Sequence, residues 1–486
     1  MDCERRNRPN ILVIVSDTHT AAVTGCYGSP IAHTPNLDRL AAEGVVFTSA
    51  YCQNPLCVPS RQSMITGKRS FQTGVIHNDM PMPELRTIGH VLKEQEYDTA
   101  AIGKMHFIPD AESSAGKERH YGFDWRLDYE EFYDYLRRER GAPPLSNQPD
   151  DPWRIVHLEK WVHRVQTPLV SSQAQESSGN FPWGTLAFED HQEALVLREW
   201  RRFLKERRDR PFLAFVSFQG PHSPYLPTPE FLDLCRSAPI PLPPPPEENI
   251  LSHPILSPRG KSAEKEKQEA YLRHYCAFVR FTDHCVGQAL RDLEAAGGAR
   301  NTLVAYVSDH GDMLYEHGLT GKMVFYENSV RVPLIIRWPG QIEGGWRYEG
   351  LVELLDLFST WREAAGASAS EAEEGRSLLP DLLKKRDDGK PAVFSESYPM
   401  ERNRRRFGDW PHRLVRTREW KLIQYGPERE DLFCLADDPG ETRNLISEPR
   451  FTAQAAGLRR MLLERLGPLP QPEERLCSGY YKQAAR

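Results

Sequence analysis

A chain of 486 residues, 39% of them hydrophobic, has material for one large α/β domain and a smaller companion, each with its own core. Its 62 basic and 68 acidic residues give a net charge of -6 spread along the chain, which argues against nucleic acid or an anionic membrane as partner. Nine cysteines, an odd number, lie scattered without a CxxC pair, and no apolar run is long enough to be a signal core or a membrane span, so a cytoplasmic setting is expected.

Taken in chain order, the first apolar run, residues 11–15, ends in Ser16-Asp17 and reads as a buried strand. Residues 34–44 carry a capping Thr34, a first-turn Pro35 and a closing Gly44, the punctuation of a helix. Pro55 and Pro59 bracket Cys57 and preset a helical turn there, which can continue through Thr66 and close at Gly67. The runs 99–102 before Lys104, 212–218 before His222 and 303–307 before Asp309 repeat the buried-strand pattern, with helices expected over about 192–208 and 267–296. This alternation predicts a large, mostly parallel sheet flanked by helices on both faces. Residues 140–190 read as an insertion or lid, and 238–262 as a stiff Pro-rich loop. The pattern then changes, predicting a catalytic domain over 1–370 and a C-terminal α+β subdomain over 371–486, with antiparallel strands at 392–396, 413–417 and 420–425 and a last helix over 451–466.

In a sheet of this kind ligands bind beyond the carboxyl ends of the strands. Asp17, Lys104, His106, His222, Asp309 and His310 all fall there, so one shared site is the economical reading. Asp17 with Asp309-His310 offers two carboxylates and an imidazole to a divalent cation. Cys57, at a helix start, would face free N–H groups, bind near an anion and have a depressed pKa, with the Arg61 fork on the same side suited to a tetrahedral oxyanion. Singly, each residue reads as well as a helix cap, a buried thiol or a core imidazole; together at strand ends they do not.

Cys57-x-Pro59-x-Arg61, followed by Gly67 and Lys68, resembles the signature of the type I sulfatases of the alkaline phosphatase superfamily. Asn10 to Asp17, Gly103-Lys104-Met105-His106, Pro221-His222-Ser223-Pro224, Ser308-Asp309-His310-Gly311 with Glu316 to Lys322, and Asp437 to Leu445 resemble further segments of that family in the expected order. The resemblance implies that a formylglycine-generating enzyme converts Cys57 to formylglycine, whose hydrate attacks sulfur and also ligates the metal. Asp17, Asp309 and His310 would complete the metal site. Arg61 would hold the hydrate, Lys104 and Lys322 would bind sulfate oxygens, His106 would act on the formylglycine hydroxyl, and His222 would protonate the leaving oxygen, all as binding or catalytic residues.

Thr18 stands where many members carry a second acidic ligand, and His310 where others have asparagine, which moves the resemblance toward choline sulfatases and phosphonate monoester hydrolases. Such a site favours Ca²⁺, with Mn²⁺ or Mg²⁺ admissible. The expected substrate is a small anionic sugar, aryl or choline sulfate. A phosphonate monoester or phosphodiester is the neighbouring alternative, and a silent binding relative, motivated by Thr18 alone, a third. Arg402, Arg404, Arg405, Arg406, Trp410 and His412 form a basic, aromatic loop in which Arg404 and Arg405 could hold a carboxylated sugar; a solvated charged loop is the plainer reading. The Tyr480-Tyr481 tail leaves a homo-oligomer open.

Overall fold

The computed structural model describes residues 8–78, 80, 83–106, 121–127, 155–158, 161–164, 188–223, 225, 227–245, 247, 253, 265–369, 373–399 and 408–470. Arg404, Arg405 and their basic neighbours, the Tyr480-Tyr481 tail and most of 140–190 lie outside these residues.

The sheet is built from β1 (Asn10–Ser16), β2 (Val45–Phe47), β4 (Asp98–Gly103), β5 (Trp125–Leu127), β8 (Phe212–Ser217), β9 (Thr302–Ser308), β10 (Leu334–Arg337) and β11 (Trp346–Tyr348), in the order β11-β2-β10-β9-β1-β8-β4-β5. β1 pairs in parallel with β8 and β9 along its length, and only β10 runs against its neighbours. The central strands are apolar on both faces because both are covered. Short pairs join β3 (Ala50–Tyr51) to β12 (Val352–Glu353) and β6 (Ile155–Leu158) to β7 (Trp161–Arg164).

On one face Leu12, Ile14, Ala214, Val216 and Tyr306 pack against helices α1 (Pro35–Glu43), α3 (Gln192–Glu206) and α4 (Lys265–Ala295). On the other, Ile11, Val13, Phe215 and Val307 share a core with Met64 and Ile65 of α2 (Cys57–Thr66) and with Phe358 and Trp361 of α5 (Asp356–Ala364). That second core also takes in Val393, Leu414, Ile423 and Phe433 from a four-stranded antiparallel sheet. Its strands are β13 (Ala392–Ser397), β14 (His412–Thr417), β15 (Trp420–Gln424) and β16 (Glu430–Cys434), and its outer face carries the last helix, α6 (Thr452–Leu466). β16 lay unread in the sequence because Asp431 interrupts its apolar alternation.

Two local expectations are corrected. The Thr34 hydroxyl does not cap α1: it accepts from Gly25 N–H and donates to Asp38. The cap comes instead from α4, where buried Asp283 accepts from the amides of Asn36 at 3.2 Å and Leu37 at 2.8 Å. His412 is no loop residue either; it begins β14, is buried, and sets its ring edge-on to Tyr425.

Because Asp283 satisfies helix N–H groups from a helix far away in sequence, Asp283→Ala removes a cap and a tertiary tie together. We expect about 1–2 kcal/mol of lost stability, read as a lower urea midpoint with an unchanged slope.

Candidate active site

Four strands end together, and their ends are stitched by backbone hydrogen bonds. Asp309 N–H reaches Ser16 O at 3.4 Å, Lys104 N–H reaches Ser217 O at 3.1 Å, and Asp17 N–H reaches Gly220 O at 3.2 Å. Gly103 has no freedom here: its φ is +94°, and a Cβ would lie 2.0 Å from Ser217 O. Gly311 meets the same limit, with Asn328 O 1.9 Å from any added Cβ. The polar residues that follow the strands are thereby brought to one point.

Helix α2 delivers the rest. Its first residue, Cys57, is fully buried, and Ser60 Oγ donates to Asp309 O at 2.5 Å, locking the helix to the end of β9. Asp17, Cys57, Asp309 and His310 each present a ligand atom, all within 4.8 Å of one another. His310 Nδ1 faces Gly311 O at 2.9 Å, which fixes that nitrogen as the donor and leaves Nε2, 3.2 Å from Cys57 Sγ, as a lone pair. Burial lowers His310 to about 4, so the ring is neutral and ready to ligate at neutral pH. Two carboxylates, a neutral imidazole and a side chain at position 57 are a donor set that fits a divalent cation.

Cations ring this cluster. Arg61 Nε binds Asp309 at 2.7 Å and its Nη2 binds Asp17 at 3.1 Å, while Nη1 donates to Ser217 Oγ at 2.9 Å and to Lys104 O. Lys104 Nζ lies 2.8 Å from Asp17, and Lys322 Nζ lies 2.9 Å from Cys57 Sγ and 3.1 Å from His310 Nε2. His222 turns Nδ1 to Ser223 O and sets Nε2 4.0 Å from Asp17. Burial would raise the Asp17 carboxyl, but Lys104, His222, Arg61 and Lys322 outweigh it and hold the group well below the usual carboxylate range. His106 is driven far down by burial, reinforced by Lys104 and Arg61, and so stays neutral.

The structure therefore gathers Asp17, Cys57, Arg61, Lys104, His106, His222, Asp309, His310 and Lys322, and leaves Arg404 and Arg405 undescribed. Two chemical expectations change. The Cys57 thiol is pushed up, by burial first and by Asp17 second, because helix-start N–H groups cannot offset the loss of water and a nearby carboxylate. Arg61 spends its fork on the two carboxylates rather than facing outward to an oxyanion. Thr18, at φ 65°, is turned onto the two carboxylates: its hydroxyl donates to Asp17 at 2.6 Å and its amide to Asp309 at 3.0 Å.

Residues 9–367 match the sulfatase family, and residues 315–466 match the C-terminal region of N-sulphoglucosamine sulphohydrolase. The chain belongs to the sulfatase family. The sulfatase is 27% identical, over 95% of its length and 87% of the relative's, to an N-acetylglucosamine-6-O-sulfatase of Bacteroides thetaiotaomicron. It is 28% identical to a choline-sulfatase of Rhizobium meliloti, covering 93% of this chain and 85% of that one. The phosphonate monoester hydrolase of Agrobacterium radiobacter shares the sulfatase's fold, with a TM-score of 0.76, 22% identity and coverage of 94% and 95% of the two chains. Among the sulfatase's described residues no helix is long and apolar enough to cross a membrane.

Some residues of this sulfatase escaped sequence reasoning. Glu193 is fully buried on α3 and accepts the amides of Gly220 at 2.8 Å and Gln219 at 3.3 Å, fastening the loop that carries His222. Its signal was a carboxylate on the helix stripe of Val196, Trp200 and Phe203, an expensive place for a charge. From α4, Tyr275 bonds Thr18 O at 2.7 Å, and Tyr271 bonds Asp312 at 3.0 Å, bracing the loops behind both carboxylates.

Burial raises Glu193 from 4.5 to about 7. A carboxyl whose folded pKa is raised adds stability below its unfolded value and loses it as pH climbs through the folded one. Between pH 5 and pH 8, Glu193→Gln should therefore gain on the natural protein, by on the order of 2–3 kcal/mol across that window. Thermal melts at stepped pH give the answer; a constant gap would show that Glu193 stays ionised.

Proposed function

We propose that the protein hydrolyses a sulfate monoester, using a formylglycine made from Cys57 as nucleophile and one divalent metal held by Asp17, position 57, Asp309 and His310. The observation that carries this reading is the placement of Cys57 Sγ, 3.2 Å from His310 Nε2 and 2.9 Å from Lys322 Nζ, at the meeting point of the carboxylates. An aldehyde at that position would hydrate to a diol that supplies the attacking oxygen, and the cation would lower the pKa of that hydroxyl.

This chain's own residues would do the remaining work. Lys322 and Lys104 offer point charges to the sulfate oxygens where charge spreads in the transition state. His222, with Nδ1 tied to Ser223 O and Nε2 toward the cluster, would act as the doubly protonated imidazolium and give its Nε2 proton to the leaving alkoxide. His106, kept neutral by burial, can take a proton from the hydroxyl at position 57. Arg61 holds Asp17 and Asp309 in place and so fixes the metal ligands. Ca²⁺ leads as the ion, with Mn²⁺ and Mg²⁺ admissible beside an imidazole. The described cysteines are free thiols, which supports a reducing compartment such as the cytoplasm.

A second reading rests on Thr18. With Thr18 bonded to Asp17, the site has the carboxylates Asp17 and Asp309 against Arg61, Lys104 and Lys322, a cationic balance that would also suit a phosphonate monoester or phosphodiester. Matched nitrophenyl sulfate and phenylphosphonate esters separate the two by kcat/KM.

Protein made beside a formylglycine-generating enzyme should yield a tryptic peptide 40–61 carrying an aldehyde at position 57, and should release sulfate from an aryl, choline or sugar sulfate. An intact thiol, with maturation verified on a control sulfatase, or no sulfate from any of these esters, overturns the proposal. Chelation of the matured protein should abolish turnover by about 100-fold or more, with recovery on adding Ca²⁺, Mn²⁺ or Mg²⁺ separately identifying the ion. Activity that survives exhaustive chelation would remove the metal from the reading.

A further inference from the structure

Lys421 is a fully buried lysine, the second residue of β15, on the same strand face as Ile423, where an apolar residue would be the ordinary choice. Its ammonium donates to Phe325 O at 3.0 Å and pairs with Glu441 at 2.5 Å and Glu327 at 2.7 Å. The second carboxylate oxygen of Glu441 accepts the Glu327 amide at 2.7 Å, and Glu441 itself is held at φ 57°. Glu327 is further tied by the Tyr51 hydroxyl at 2.9 Å and by Arg331 at 3.1 Å. Two side chains of the C-terminal part thus grip the backbone of residues 325–327.

Those residues begin three positions after Lys322. On either side of Lys322, Gly321 N–H donates to Asp312 at 3.0 Å and Met323 N–H donates to Pro55 O at 3.2 Å, two residues before Cys57. The Lys322 segment is therefore stretched between the nucleophile loop on one side and the Lys421–Glu441 pair on the other. Burying an ammonium with two carboxylates is a poor way to gain stability, since an apolar side chain of similar volume does as well or better. What a charged pair supplies, and a methionine cannot, is a donor to one particular carbonyl and an acceptor for one particular amide.

We propose that Lys421 and Glu441 are positioning residues for Lys322, so that the C-terminal antiparallel sheet sets where the anion-binding ammonium stands relative to position 57. This rests on the reading of Lys322 as an anion ligand given above. Neither residue touches substrate; each acts through the backbone of the segment 322–327.

The test is a double-mutant cycle on the matured enzyme with 4-nitrophenyl sulfate, with inorganic sulfate as competitive inhibitor. Lys421→Met should lower kcat/KM by about 10- to 100-fold and raise the inhibition constant for sulfate, the scale of a misplaced binding group. In a Lys322→Ala background the same change should cost almost nothing further, because its target is gone. Losses that simply multiply, or a Lys421→Met enzyme with unchanged kcat/KM and sulfate inhibition, would overturn the proposal and leave Lys421 a purely structural residue. Glu441→Gln is the companion variant should Lys421→Met fold poorly: it keeps an oxygen for the Glu327 amide, loses the ion pair, and should show the same dependence on Lys322. If Lys322→Ala alone changes neither parameter, the assignment of Lys322 fails, an outcome distinct from additive losses.

Discussion

Everything at the mouth of the sheet depends on neutralising two buried carboxylates. Asp17 and Asp309 stand at the ends of adjacent strands, both without exposure to water, and a pair of like charges in such a place is untenable unless cations close around them. Arg61 spans both, Lys104 joins it at the same oxygen of Asp17, and the other oxygen of Asp17 is turned toward Cys57. The position of α2 follows from this, because Arg61 can reach both carboxylates only if its helix starts at the strand ends. Cys57 is carried there with it.

The cost of that arrangement is met by the surrounding framework. Backbone stitches between β1, β4, β8 and β9, the carboxylate of Glu193 under the His222 loop, and the tyrosines of α4 behind Thr18 and Asp312 hold loops whose conformations are unfavourable in isolation. Thr18 and Met323 adopt positive φ beside Asp17 and Lys322, and His106, itself part of the site, does the same. The antiparallel sheet shares a single hydrophobic core with α2 and α5, so the C-terminal part is packed as an extension of the catalytic architecture.

Much of this was legible in the sequence, and for a physical reason. Parallel strands covered on both faces must be apolar throughout, so the polar residue that ends each run marks the carboxyl edge, and Asp17, Lys104, His222 and Asp309 could be placed together from that alone. What could not be read was the direction in which side chains spend their hydrogen bonds. Arg61 faces inward and Cys57 is raised rather than lowered because burial and neighbours from distant segments decide, and these are tertiary facts. Glu193, Asp283 and Lys421 shared one faint sign, a charge on an apolar helix stripe or an inward strand position. Their partners come from elsewhere in the chain, so the sign had no visible meaning.

β10 is the one strand of the large sheet that opposes its neighbours. Since β9 rises to the site and β10 descends from it, the excursion between Asp309 and Pro333 leaves and rejoins the sheet at the same rim, side by side. A parallel crossover would have tied the length of that segment to the breadth of the sheet; this return does not. The stretch bearing Lys322 is thus a hairpin-like cassette, able to lengthen, shorten or change its residues between relatives while every strand keeps its place.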